Sequence, residues 1–338
     1  MKNAIGFVLI DAPHSALNNA GIEASAKAEN KTVVKQIKRG RDSFPYVSAQ
    51  AWRRWWRDAL EIRCGWVMSP LQRGKGDIAF TKANPFSYPD DDVFGYMRAQ
   101  GSAEGGTMTR LSPLKTSPLV SILPQNATDD FGVMSRQPGN PVLHEHQFYS
   151  TILKGVFALD LDAVGTFQRG DRTGFRNLAD AYIKKADMSK TIEESGATGS
   201  ETEFVLPSNV RFKRAKDVFD SLPFLSGGAK QALHHTDVTP KFVVLAVIQG
   251  GNNLWMSIAA PDDKKPVNIK ALEQVIRDYA DIIEGAVFIG RQEGFADALA
   301  PDLVALQTNL AGVVPVQLFS PRAALQEFAK TLEPQFAV

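Results

Sequence analysis

The chain has 338 residues, 44% apolar and 22% charged, with 38 basic against 37 acidic side chains. That is enough for a sizeable core, in two small domains or one domain with large insertions, and it excludes global disorder. Near-zero net charge excludes a uniformly basic nucleic-acid binder, and the single cysteine, Cys64, excludes an internal disulfide or a cysteine-based zinc site.

Residues 5–11 are a short β-branched run, a buried strand, and 12–31 a polar surface connection. The stretch 32–38 predicts a second strand, running into a basic turn and a helix over 47–63. Lys35, Lys38, Arg39 and Arg41 put four cations within seven positions, and Gly40 lets the backbone approach a ligand. Ser48 is the expected N-cap, so first-turn amides are expected to point toward those cations, an arrangement suited to phosphate. The alternative is a solvated basic edge. Trp52, Trp55, Trp56, Ala59 and Leu60 recur at helical spacing and predict a core-facing stripe, with Arg53, Arg54, Arg57 and Arg63 mostly off it.

From 66 to 115, Gly74, Gly76, Gly101, Gly105, Gly106, with Pro70, Pro85 and Pro89 and the run Asp90-Asp-Asp92, interrupt any long element, which predicts an insertion. Strands follow at 117–123 and 148–161, joined by a polar excursion over 124–147 that suggests a protruding hairpin arm. A helix over 177–186, a linker-like stretch over 189–203, a basic helix over 210–222, a strong strand at 241–249, a helix over 269–283 and a strand at 286–290 complete the order. This is the order of an α+β sandwich with a mixed sheet and helices on one face. No apolar run is long enough to span a bilayer and no signal-peptide pattern opens the chain, so a cytoplasmic protein without a membrane partner is expected.

Few groups point to catalysis. Leu225-Ser-Gly-Gly-Ala-Lys230 lacks the spacing of an ATPase loop, leaving a tight helix cap or a backbone contact to phosphate or ribose. His144-Glu145-His146 and His234-His235 have no third ligand at supportive spacing, so no metal or other cofactor is expected. Asp129 and Asp130 are acidic positions in the polar arm. Phe131 and Met134 are bulky apolar side chains in that arm, placed either against a ligand or back on the sheet.

Taken in order, Lys38-Arg-Gly-Arg41 with Pro45-Tyr-Val-Ser-Ala-Gln-Ala-Trp-Arg53, Arg110-Leu-Ser-Pro-Leu-Lys-Thr-Ser-Pro-Leu-Val-Ser-Ile122, Asn140-Pro-Val-Leu-His-Glu-His-Gln-Phe-Tyr149 and the glycine turn 225–230 resemble a known family. It is the backbone subunit of type I CRISPR Cascade complexes, the DevR-like branch of the seventh Cas protein family, and the fit is closest to type I-B. The match runs from the first strand to about residue 290, with an unusual tryptophan density in the first helix. The resemblance implies an RRM-like (ferredoxin-like) palm over 1–64, 116–123 and 147–338, a fingers insertion over 65–115 and a β-hairpin thumb over 124–146. It also implies a non-catalytic, guide-RNA (crRNA)-binding scaffold that polymerises with copies of itself, works with other Cascade subunits, and meets target DNA through the guide. The expected contacts are Lys35, Lys38, Arg39, Arg41, Ser48, Gln50 and Arg53, then Gly227, Gly228 and Lys230, with Arg110 and Lys115 at the base of the fingers and Phe131 and Met134 beside a displaced nucleotide. The competing class is a metal-dependent endoribonuclease using a thumb aspartate, Asp129 or Asp130, as in related type III subunits.

Overall fold

In a computed structural model the chain is described over residues 1–23, 31–74, 79–99, 101, 106–169 and 176–337. Gly76 and Gly105 of the predicted insertion, and part of the 12–31 connection, lie outside these residues.

The centre is a sheet in which Phe242–Gln249, Lys2–Ser15, Val142–Asp160 and Leu119–Ser121 lie side by side in that order, each antiparallel to its neighbour. Ile283–Arg291 and the parallel strand Val316–Phe319 extend one edge, and the hairpin of Gln36–Arg39 with Asp42–Val47 extends the other. Along Lys2–Ser15, Ala4, Val8 and Ile10 enter one core and Ile5, Phe7 and Leu9 the other. A strand buried on both faces needs an unbroken apolar run, which is what 5–10 supplies. The expectation of helices on one face is therefore corrected. Helices Ala49–Cys64, Ser208–Ser221 and Pro321–Lys330 cover one side, and Ile269–Asp278 with Ala300–Leu310 cover the other.

The tryptophan stripe is buried as its spacing requires. Each ring also carries an N–H that needs an acceptor. Trp56 Nε1 donates to the Val218 carbonyl and to Ser221 Oγ, both at 3.0 Å, and Trp52 Nε1 donates to the Ser117 carbonyl at 2.8 Å. The dense tryptophans thus fasten this helix to the helix Ser208–Ser221 and to the edge of the sheet. Gly6 makes room for this: a Cβ there would lie 2.1 Å from the Phe157 ring, which crosses the strand to meet Trp56 edge-on at 5.2 Å. Cys64 ends the helix beside Asp217, and burial pushes its thiol up to about 11, which leaves it unreactive.

A third core joins Ala83, Phe86, Tyr96 and Met108 of the insertion to Phe167, Leu178, Tyr182, Met188 and Ile192. The stretch with a linker's composition is ordered here, as helix Ala186–Glu194 and strands Thr198–Gly199 and Glu203–Val205. Within the acidic run, Asp90, Asp91 and Asp92 are all buried in the short helix Pro89–Phe94. Asp92 is paired with Arg110 and, at 2.6 Å, with Arg214, while Asp90 accepts from the Ser69 N–H at 2.9 Å.

Burial pushes the Asp90 carboxyl up to about 6. Its folded value lies above its unfolded one, so the protein loses stability as pH rises from about 4 to 6. Asp90→Asn keeps an acceptor for Ser69 without the charge. It should stabilise the fold by about 1–2 kcal/mol at pH 7.5, less than the roughly 3 kcal/mol that two pH units represent, because the new amide brings N–H donors into a buried site that holds a carboxyl. Urea unfolding at pH 7.5 and pH 4.5 checks this; the gain should fall to less than half at the lower pH.

Candidate nucleic-acid interface

The basic segment is a hairpin, not one strand and a turn. Gln36–Arg39 pairs with Asp42–Val47, Lys38 opposite Ser43 and Arg39 opposite Asp42, so Gly40 and Arg41 form a two-residue tip, Gly40 with φ 62°. Lys38, Arg39 and Arg41 are exposed. Ser48 caps the helix as expected, its Oγ accepting from the Ala51 N–H at 3.4 Å. Six residues of extended chain separate Asp42 from Ser48, a distance of roughly 20 Å. The helix N-terminus and the tip cations therefore do not converge on one phosphate. Lys35 is the cation at the helix end, its carbonyl accepting from Tyr46 N–H, and Gln50 is exposed nearby on the first turn.

Of the expected cations, Arg53 is half-buried and Arg110 lies inside. Arg53 donates to the carbonyls of Leu114 and Phe94 and to Ser112 Oγ, and its guanidinium sits 5.0 Å over the Phe94 ring. Burial, reinforced by Arg57, lowers it to about 10. Arg110 is 4% exposed and donates to Asp92, Thr166, Asn177 and Ala163. Both position the base of the insertion rather than present charge. Lys115 remains exposed, at the rim of a 760 Å³ groove that Arg110 and Arg211 also line.

In the glycine turn, packing explains both glycines. A Cβ on Gly227 would lie 2.2 Å from the Trp55 ring, and one on Gly228 would lie 2.5 Å from Leu17, at φ 153° and 104°. Lys230 has φ 56° and opens the four-residue helix Gln231–His234. The turn packs against Trp55 and Leu17, with Lys230 half-exposed beside it.

The arm is larger than its sequence suggests. Thr128–Met134 pairs antiparallel with the outer half of Val142–Asp160, which continues unbroken into the central sheet. Lys31–Val34 adds in parallel at Glu145 and His146, and Asn19–Glu23 adds outside it. Lys31 bonds Asp129 at 2.8 Å and Glu145 at 3.1 Å, and this pairing with Lys31 holds the Asp129 carboxyl below the usual carboxylate range. Phe131 and Met134 are 47% and 57% exposed. Three positions apart on a strand, they point to opposite faces. At the arm's base His146 packs edge-on against His234 at 5.6 Å; burial keeps both imidazoles below their ordinary value. Among the described residues no three histidine, cysteine, aspartate or glutamate side chains are grouped to hold a metal ion.

Sequence reasoning missed Lys154, which faces the tip cation Arg39 across the sheet. Its signal was a break in pattern: Ile152, Val156 and Ala158 face one core, and Lys154 stands at the same parity.

No protein-family model matches this sequence, and no curated protein matches it. Solved structures do. Over 97% of this chain and 99% of the other, the fold is similar to a chain of a "CRISPR RNA-guided surveillance complex", with a TM-score of 0.53 at 13% identity. Over the same shares it is similar to a chain of a "CRISPR RNA-guided surveillance complex, pre-nicking", with a TM-score of 0.56 at 12% identity. The likeness is one of fold, and it runs the whole length of both chains.

Proposed function

We propose that the chain is a non-catalytic, guide-RNA-binding backbone subunit of a type I CRISPR effector complex, of the DevR-like, I-B-like kind, which polymerises along the guide. The observation that carries this reading is the full-length likeness in fold to surveillance-complex chains. The topology supports an RRM-like palm: strand Lys2–Ser15, helix Ala49–Cys64, strands Leu119–Ser121 and Val142–Asp160, helix Ser208–Ser221 and strand Phe242–Gln249 follow a βαββαβ order, with the four strands arranged 4-1-3-2. The sheet face that such palms often leave open for RNA is covered here by Ile269–Asp278 and Ala300–Leu310. The guide backbone then runs along the hairpin edge and the arm, where the exposed cations and exposed apolar side chains stand.

The endoribonuclease alternative has less support. Asp129 is engaged by Lys31 and by Gln147 Nε2 at 3.0 Å, so it would have to release a lysine before meeting a divalent ion, and Asp130 stands 3.5 Å from His146, with no third such ligand grouped beside either among the described residues. Among the described residues no helix is long and apolar enough to cross a membrane.

Lys38→Ala with Arg41→Ala tests the site. Both side chains are exposed, so the melting temperature should not move. Guide affinity should fall at any sequence, and the slope of log K against log salt should become shallower by about 1.4, since each single-strand phosphate contact contributes about 0.7. An unchanged slope in the folded double variant removes the tip from the interface.

A further inference from the structure

We propose that Arg39 and Lys154 form a socket for one backbone phosphate of a single-stranded nucleic acid; the proposal rests on the RNA-binding reading and adds to it a residue and a geometry. Lys154 sits on the central strand between Leu9 and Val120, at a parity where its strand neighbours Ile152 and Val156 are buried and apolar. The sheet and the residues 259–261 form an open cavity of about 130 Å³ there, lined by Arg39, Phe44, Val120, Ser121, Ile122 and Lys154 on the sheet side. That is roughly four times the share of one water in the liquid, room for a tetrahedral oxyanion.

Two cations meet at this cavity without a counter-charge. The Arg39 guanidinium lies 5.4 Å over the Phe44 ring, and both line the cavity. Among the described residues the Lys154 ammonium has one hydrogen-bond partner, the Met256 carbonyl at 3.2 Å, and no carboxylate lines the cavity. Burial and then the neighbouring Arg39 lower Lys154 from its ordinary value, so the free protein bears a penalty there. A half-buried lysine placed beside an arginine, in a position where packing favours an aliphatic side chain, is explained by an anion that spans both. Phosphate suits a forked guanidinium and a point charge together.

Lys154→Met keeps the aliphatic stem and removes the charge, and Lys270→Met, exposed on the helix Ile269–Asp278, is the control. Two probes are used on the full chain: a 20-nucleotide oligouridylate, titrated over a salt series, and tripolyphosphate, followed by thermal unfolding. Lys154→Met should melt at or above the wild-type temperature and bind oligouridylate about five- to tenfold more weakly. Its salt slope should be shallower by about 0.7, and tripolyphosphate should no longer protect it. The control should match wild type throughout. Wild-type affinity and slope in Lys154→Met, or tripolyphosphate protection that is absent from wild type or equal in both, overturns the socket. If wild type ignores oligouridylate while tripolyphosphate protection still requires Lys154, the socket stands with free polyphosphate as its ligand, and the RNA-binding reading falls.

Discussion

Replacing Asp92 by alanine should cost the fold about 3–5 kcal/mol, the largest loss expected from any single charged residue here. Asp92 is fully buried between Arg110 and Arg214, and its carboxylate also accepts from the Gly165 N–H at 3.0 Å. Its removal leaves two buried guanidinium groups without the carboxylate that pairs them. Neither arginine can swing out to water, because each is held by carbonyls of other segments: Arg110 by Ala163 and Thr166, Arg214 by Pro85 and Phe86. The hub thus ties the insertion to the helix Ser208–Ser221 and to the turn after the central strand. Urea unfolding should show a midpoint shift of that size. Asp92→Ala combined with Arg214→Ala should cost less than the sum of the two changes made separately, the mark of a coupled pair. A loss below about 1 kcal/mol for Asp92→Ala would mean that the hub is not a pillar of the fold.

This hub was invisible in the sequence for a physical reason. Three adjacent aspartates are usually solvated, and the partners that bury Asp92 lie 18 and 122 residues away. Local signals fared better. Ser48 as a cap, the tryptophan stripe and the buried strand near the N-terminus all follow from contacts within one element, and each is where its spacing puts it. The basic hairpin was half legible. The stretch between the basic turn and the helix was read as connection, yet Asp42–Val47 is a strand, with Pro45 opposite Gln36 in the outermost hairpin of the sheet. Without that strand the cations and the helix N-terminus seemed to meet, and only the register separates them. Arg53 and Arg110 show the same limit: an arginine's charge is readable from sequence, but its neighbours are not.

Phe131→Ala and Met134→Ala should have unequal effects, although both side chains stand on the arm's outer strand. Phe131 lies opposite Glu145 and Met134 opposite Val142, on alternate faces of the hairpin. The Phe131 face continues into Val133 and Leu143, which are about half exposed and form an apolar row; the Met134 face continues inward to His144, whose ring covers Gly132, and to His146. An arm that wedges beside a displaced nucleotide presents one face to the base, and an aromatic ring is the better platform. Phe131→Ala should therefore weaken target binding by the assembled complex by about 1–3 kcal/mol, roughly five- to 150-fold. It should also flatten the regular alternation of reactive nucleotides along the guide under chemical probing. Met134→Ala should stay within about twofold of wild type, because its face is not the one engaged. Neither change should move the free chain's melting temperature by more than a degree or two, since each side chain already stands about half in water. Equal losses from the two variants would show that the arm does not engage through a single face. A drop of several degrees for Phe131→Ala, with the guide's pattern intact, would make that ring a fastener of the arm and leave the displaced nucleotide to other residues.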